Sequence, residues 1–145
     1  MGLTASLKIL STSLDPEEIT ERLGVQPTEV RHQAAYPQNG VSLPKTHIWR
    51  LELPNDPDLH FGTAGISAAI ETLDDQLADK FATLPADGVD KFLDLHQAVD
   101  GDNDHESSGI HLTSAALGWL VRAGLDIDID QYFYTNGATE ASLKE

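Results

Sequence analysis

Residues 3–24 read LTASLKILSTSLDPEEITERLG, and here a strand pattern passes directly into a helix pattern. Apolar residues alternate with polar ones over residues 3–9, which is the period of a half-buried strand. Asp15 and Pro16 then suit the N-cap and the first position of a helix, and Gly24 suits its end. The stretch therefore predicts a domain that mixes strands with helices.

The strand period of two residues and the helix period of 3.6 residues predict the secondary structure of the rest of the chain. Strands are predicted at about 47–53, 91–99 and 125–134, helices at about 66–84 and 113–124, and a long proline-containing connection at 25–46. The order β-α-β, a connecting helix, then β-α-β predicts a ferredoxin-like α+β sandwich, with helices packed on one sheet. The strands around Leu7–Ile9, Trp49–Leu51 and Ile127–Ile129 are expected side by side. We expect a single domain over residues 1–134, followed by a flexible C-terminal tail at 135–145.

Apolar periodicity also predicts which side chains are buried. The first helix, the third helix and the last strand are expected to turn these residues inward: Ile19, Leu23, Leu117, Leu120, Val121, Ile127, Ile129 and Phe133. Trp49 is interpreted as a core anchor, and Trp119 as partly exposed on its helix.

The composition limits the classes of function. The chain has 145 residues, with 9 Lys+Arg against 24 Asp+Glu, and a formal net charge of −15. Such a surface repels phosphate backbones and anionic lipid, so nucleic-acid and membrane partners are not expected. Among partners, a basic protein or a cation is favoured, but solubility alone is the preferred explanation of the charge, and adaptation to high salt is a third. Cysteine is absent, which removes thiolate zinc sites, disulfides and cysteine nucleophiles. No secretion signal is recognised, and a cytoplasmic location is expected.

The last strand carries the strongest candidate for a binding surface. Three carboxylates and a tyrosine share one of its faces: Asp126, Asp128, Asp130 and Tyr132. A buried face could not hold three unpaired carboxylates, so this face must meet solvent, a basic partner, or internal ion pairs with Arg50 or Arg122. Acidic side chains beside tyrosine are typical of a surface that captures arginine or lysine.

One acidic segment begins like a calcium loop. Asp100, Asp102 and Asp104 supply oxygens at the first, third and fifth positions. The loop then lacks its turn glycine, replaced by His105, and has His111 where a bidentate glutamate belongs. A solvated loop is therefore favoured over a metal site. His96 and His111 could meet across strands, but the histidines show no HExxH spacing, and no nucleophile or phosphate-loop motif is present.

Three segments together resemble a family of domains of unknown function, family 4279. They are residues 14–24 (LDPEEITERLG) with Pro27-Thr28, the strand around Trp49, and residues 109–113 (GIHLT) leading into 124–132 (GLDIDIDQY). In this family the final strand usually alternates aspartate with apolar residues up to a tyrosine, and Gln131 departs from that pattern. The resemblance spans nearly the whole chain. It implies a bacterial, cytoplasmic, stand-alone domain, and it implies no reaction and no catalytic residues.

Two functions of different classes follow. The first is a protein-binding module for a basic partner, of which an immunity-type inhibitor of a toxin is one form, by analogy with other small acidic domains. The second is a small-molecule or metal-dependent enzyme that uses surface Asp and His side chains, although no spacing supports it specifically. No cofactor and no catalytic residue are assigned, and the oligomeric state is left open.

Overall fold

The computed structural model describes residues 3–34, 45–54, 62–100 and 110–134. In these ranges the chain forms a five-stranded sheet and four helices. The strands are β1 (Leu3–Ser11), β2 (Glu29–Arg31), β3 (His47–Leu53), β4 (Val89–Asp100) and β5 (Asp126–Tyr134). The helices are α1 (Pro16–Leu23), α2 (Gly62–Glu71), α3 (Asp75–Ala82) and α4 (Ser114–Ala123). The α+β class is confirmed.

The sheet differs from the expected topology. Its order is β2-β3-β1-β4-β5, with β1 antiparallel to both β3 and β4, and β5 parallel to β4. The strands β1 and β3 are neighbours as expected, whereas β5 lies beside β4 rather than beside either of them. The ferredoxin-like arrangement is not confirmed, because the order of the strands differs from that fold. The unpredicted fifth strand is β2, which forms one edge of the sheet, and the predicted last strand, β5, forms the other. The sequence missed β2 because three residues are too few to show a period.

The sequence predicted the ends of α1 correctly, but it predicted one helix where the structure has two, α2 and α3. α1 begins at Pro16 and ends at Leu23, and Gly24 follows it with a φ of 73°, in the left-handed region that glycine adopts without strain. The single helix expected at 66–84 is two helices, since the Asp74 side chain accepts a hydrogen bond from the Gln76 N–H and caps a new helix there. An N-cap residue has extended backbone dihedrals, so the preceding helix cannot continue through Asp74.

All four helices pack on one face of the sheet. Odd-numbered residues of β1, β3 and β4 point into this layer, and the largest fully buried side chains there include Trp49 and Phe81. The Phe81 ring packs in T-shaped geometry against Trp49 and Trp119, with ring centroids 6.3 Å and 6.2 Å away. Trp49 is therefore the core anchor that the sequence predicted.

The structure turns a different side of α4 toward the core from the one that the sequence predicted. Trp119 is 5% exposed, while Leu117 and Val121 are 40% and 78% exposed. Leu120 is buried as predicted, and Ala116, Trp119 and Ala123 complete the buried face, because α4 packs this side against α2 and α3. Trp119 can be buried because its indole N–H donates to the Asp74 carbonyl at 3.2 Å.

Candidate functional site on the open face of the sheet

The face of the sheet opposite the helices carries the polar residues. On β5 this face holds Asp126, Asp128, Asp130 and Tyr132, which we call the acidic edge. Each lies beside a residue of β4, in the order Phe92, Asp94, His96 and Ala98. The prediction that these four side chains share one face thus agrees with the register of the strands, while their role in binding stays a prediction.

Two members of the acidic edge have no counter-charge. Asp126 and Asp128 are exposed, and neither makes an ion pair with any residue that the structure describes. The expected alternative of internal pairs with arginine is wrong. Arg50 lies 3.5 Å from Glu29 and 3.9 Å from Glu52, and Arg122 pairs with two aspartates of α3.

Asp94 is a buried carboxylate beside this edge. It is 5% exposed, although it lies on the face without helices. Its Oδ2 is 3.7 Å from the Lys8 Nζ and 3.1 Å from the His96 Nε2. A buried carboxylate needs such partners, because desolvation of an unpaired charge costs several kcal/mol or more. Asp94 is therefore held in place by its neighbours on β1 and β4.

His96 joins the buried carboxylate to the acidic edge. Its Nε2 lies 3.8 Å from Asp130 Oδ2 as well as 3.1 Å from Asp94 Oδ2. The imidazole also stacks on the Tyr132 ring, at 6.2 Å between centroids and 12° between planes. His96 thus connects Asp94, Asp130 and Tyr132 in one arrangement of acid, imidazole and phenol groups.

Three of these side chains could hold a metal ion. One ligand atom each from Asp94, His96 and Asp130 lies within 4.8 Å of the others. Tetrahedral zinc bonds of about 2.0–2.1 Å place ligand atoms about 3.3 Å apart, so the cluster would need only a small contraction. Three protein ligands would leave one position open, as in catalytic zinc sites. Against this, the Lys8 ammonium already supplies positive charge to Asp94.

The sequence did not find this cluster. Asp94 and His96 are two residues apart on a strand, and Asp130 joins them only through the parallel pairing of β4 with β5. Part of the cluster was predictable from the alternation of a strand, because residues two apart, such as Asp94 and His96, lie on the same face. The sequence allowed a contact between His96 and His111 without favouring it. In the described structure His96 contacts the two aspartates, and His111 lies in the segment before α4, where its carbonyl accepts a hydrogen bond from Ser67.

The calcium-like segment is not tested by the structure. Asp102 and Asp104 lie outside the described residues, and Asp100 is placed only as the last backbone position of β4. The flexible tail expected at 135–145 also lies outside them. Among the residues that are described, no helix has the length and apolar character to cross a membrane.

Comparison with known proteins gives one match. A family model described as a domain of unknown function, DUF4279, matches residues 1–134. No curated protein and no solved structure matches the chain. The resemblance noted in the sequence is therefore confirmed over almost the whole chain, and function has to be argued from the geometry.

Proposed function

The chain belongs to the DUF4279 family, and from this premise we propose that it is a protein-binding module whose acidic edge docks a basic protein. The observation that carries the proposal is the pair of exposed, unpaired carboxylates of Asp126 and Asp128 on the last strand of the sheet. Both arginines that could have neutralised them are paired with other acids. An external cation is the counter-charge that remains.

The spacing of the edge suits side chains presented by another protein. Carboxylates on alternate residues of a strand stand about 7 Å apart, and under moderate screening they repel one another by about 1 kcal/mol in total. A basic partner would relieve this repulsion. Tyr132, which is 57% exposed, would offer its ring face to a lysine or arginine beside Asp130.

The net charge adds long-range attraction to the local contacts. A charge of −15 raises the encounter rate with a basic protein, chiefly at low ionic strength. An immunity-type inhibitor that covers a basic toxin is one form of such a module. The partner's identity and the cytoplasmic location stay predictions.

The experiment compares two variants of equal charge. In the first, Asp126, Asp128 and Asp130 are replaced by asparagine. In the second, Glu18→Gln, Glu21→Gln and Asp87→Asn remove three exposed carboxylates elsewhere, none of which forms an ion pair in the described part of the chain. Binding of oligolysine is measured by calorimetry over a series of salt concentrations.

We expect the edge variant to bind roughly tenfold more weakly and with a smaller salt dependence, and the control variant to bind nearly as the parent does. The edge variant should also be about as stable as the parent in urea, because repulsion is removed and only the long, half-exposed contact of Asp130 with His96 is lost. Equal binding by both variants would refute docking at this edge.

The Asp94–His96–Asp130 cluster favours a second candidate function, the binding of a divalent cation for metal-dependent chemistry. Zinc titrated into the protein should then bind with micromolar affinity. His96→Gln should abolish this binding and His111→Gln, an exposed histidine outside the cluster, should not. Equal zinc binding by the two variants, or none by the parent, would remove this candidate.

A further inference from the structure

The outer edge of β5 is a long unpaired strand edge. β5 has nine residues and, within the described chain, pairs only with β4. Every second residue of such a strand directs its N–H and C=O away from its neighbour, where they can pair with another chain. The opposite edge of the sheet is formed by β2, which has three residues and offers far less to an incoming strand.

The other face of β5 is apolar apart from Gln131, whose side chain donates to the Gln97 side-chain oxygen, and no helix of the described residues covers it. Ile127, Ile129 and Phe133 are 40%, 47% and 70% exposed. Their pattern predicts burial, and this prediction is wrong because, among the described residues, the helical layer does not extend over β5. β5 thus presents carboxylates on one face, apolar side chains on the other, and free backbone groups along its edge.

This combination is not explained by protection of the edge. Charged residues do keep strand edges from pairing indiscriminately. A strand whose charges served only to prevent edge pairing would have no need to expose Ile127, Ile129 and Phe133 on its other face. Conversely, a flat apolar surface for a helix would not need the alternating acids. An extended strand satisfies both faces together, because its own side chains alternate with the same period.

A second copy of this chain fits the edge poorly. When two copies of one strand pair about a two-fold axis perpendicular to the sheet, the same face of each copy points the same way. The aspartates of both copies would then share one face, and like charges on neighbouring strands are destabilising. A strand with basic residues on that face has the complementary charge.

We propose that the free edge of β5 takes up an extended segment of the basic partner as an additional strand. Basic side chains at alternate positions lie over Asp126, Asp128 and Asp130, and apolar side chains between them cover Ile127, Ile129 and Phe133. Main-chain hydrogen bonds hold the segment, and the alternation selects its sequence. The inference rests on the proposed function and specifies the form of the partner.

The test uses three synthetic peptides with blocked ends. The first is Lys-Val-Lys-Thr-Lys-Val-Lys, which has the complementary alternation. The second, Lys-Lys-Lys-Lys-Val-Thr-Val, has the same composition and charge without alternation. The third is the first peptide with N-methyl groups on alternate amides, prepared in both possible phases. We expect the alternating peptide to bind about tenfold more tightly than the second peptide, which cannot place its lysines on one face, and than the methylated peptide in one of the two phases, which loses its backbone hydrogen bonds to β5. The other methylated phase should bind like the unmodified peptide.

Amide hydrogen exchange identifies the contact surface. With the alternating peptide bound, every second amide of β5, the set directed away from β4, should gain protection. The amides of β2 at the other edge serve as the control and should not change. This readout depends on backbone pairing and does not respond to electrostatic attraction alone.

The outcomes separate the two proposals. If all the peptides bind equally and the asparagine variant of the acidic edge weakens them equally, docking stands and strand addition is overturned. If the asparagine variant binds the alternating peptide as tightly as the parent, the docking function itself is wrong. A dimer in sedimentation without peptide, with the outer β5 amides already protected, would show that a second copy occupies the edge and would overturn the proposal.

Discussion

Individual residues in this protein are buried or exposed according to how their helix is turned, as the leucines Leu23 and Leu117 show. Both occupy inward positions in the periodicity of the sequence. Leu23 is 1% exposed at the end of α1, whereas Leu117 is 40% exposed on α4. The difference arises because α4 uses Trp119 and alanines as its buried face, which moves Leu117 toward solvent.

Truncation of these two leucines should therefore have unequal effects. Leu23→Ala should lower the free energy of unfolding by about 2–5 kcal/mol, because it removes contacts from a filled core. Leu117→Ala should lower it by about 0.5 kcal/mol or less, as expected for a partly exposed side chain. Urea denaturation of both variants measures the difference. Equal losses would mean that the burial of α4 described above is incorrect.

A second residue-scale prediction concerns an ion pair on the helical layer. The Arg122 guanidinium donates to both carboxylate oxygens of Asp79, at 2.8 Å and 3.0 Å. These hydrogen bonds lower the pKa of Asp79 below its ordinary value, and they raise the pKa of Arg122. Because the pKa of Asp79 is lower in the folded state, the resulting stabilisation is present above the unfolded pKa of about 3.9 and is lost as the pH falls through the folded value.

Replacement of Arg122 should change the pKa of Asp79. Arg122→Gln should raise the pKa of Asp79 toward its ordinary value, observed as a shift of its carboxyl carbon resonance in a pH titration by NMR. Arg22→Gln is the matched control, since Arg22 also lies in the last turn of a helix before a left-handed glycine. An unchanged Asp79 titration in the Arg122 variant would show that the pair does not persist in solution.

At the scale of an element, two helices begin with the same residue type and differ in how it is used. Asp15 and Asp74 both have extended N-cap dihedrals. The Asp74 side chain accepts from the Gln76 N–H at 2.8 Å, whereas the Asp15 side chain makes no capping hydrogen bond. Pro16 at the start of α1 has no N–H to satisfy, which leaves that helix with one donor fewer.

Alanine at the two positions should distinguish these roles. Asp74→Ala should cost about 1 kcal/mol of stability, because an unfilled donor is left at the start of α3. Asp15→Ala should cost only a few tenths of that amount, through the loss of a negative charge near the helix N-terminus and of a long contact, 3.7 Å, with the His47 Nε2. Urea denaturation of the two variants gives the comparison, and a larger loss for Asp15→Ala would contradict it.

At the scale of the whole molecule, charge repulsion should be visible in the stability. The 24 acidic residues exceed the 9 basic ones, so most carboxylates cannot find a partner within the chain. Salt screens this repulsion and also weakens the few exposed ion pairs. Since unpaired charges outnumber paired ones, the first effect should dominate.

Raising sodium chloride from about 20 mM to about 0.5 M should therefore increase the free energy of unfolding, by an amount on the order of 1 kcal/mol. The urea midpoint measured at each salt concentration tests this expectation. The asparagine variant of the acidic edge should gain less from salt than the parent, because part of the repulsion is already gone. A midpoint that falls with salt would show that the ion pairs dominate instead.

The sequence by itself determined the α+β class, the ends of α1 and α4, the burial of Trp49 and the shared face of the acidic edge. These features depend on local rules: the period of a strand, the dihedrals of a cap, and the freedom of glycine. The family was also recognisable from the sequence, because its motifs are continuous segments.

Only the tertiary structure decided the order of the strands, the phase of α4 and the cluster of Asp94, His96 and Asp130. Each depends on pairing between distant segments. The place of β5 at the edge follows from its pairing with β4, and this pairing leaves Ile127 and Ile129 exposed although their pattern is that of a buried strand. Alternation places side chains on two faces of a strand, but whether a helix covers either face depends on where the strand lies in the sheet.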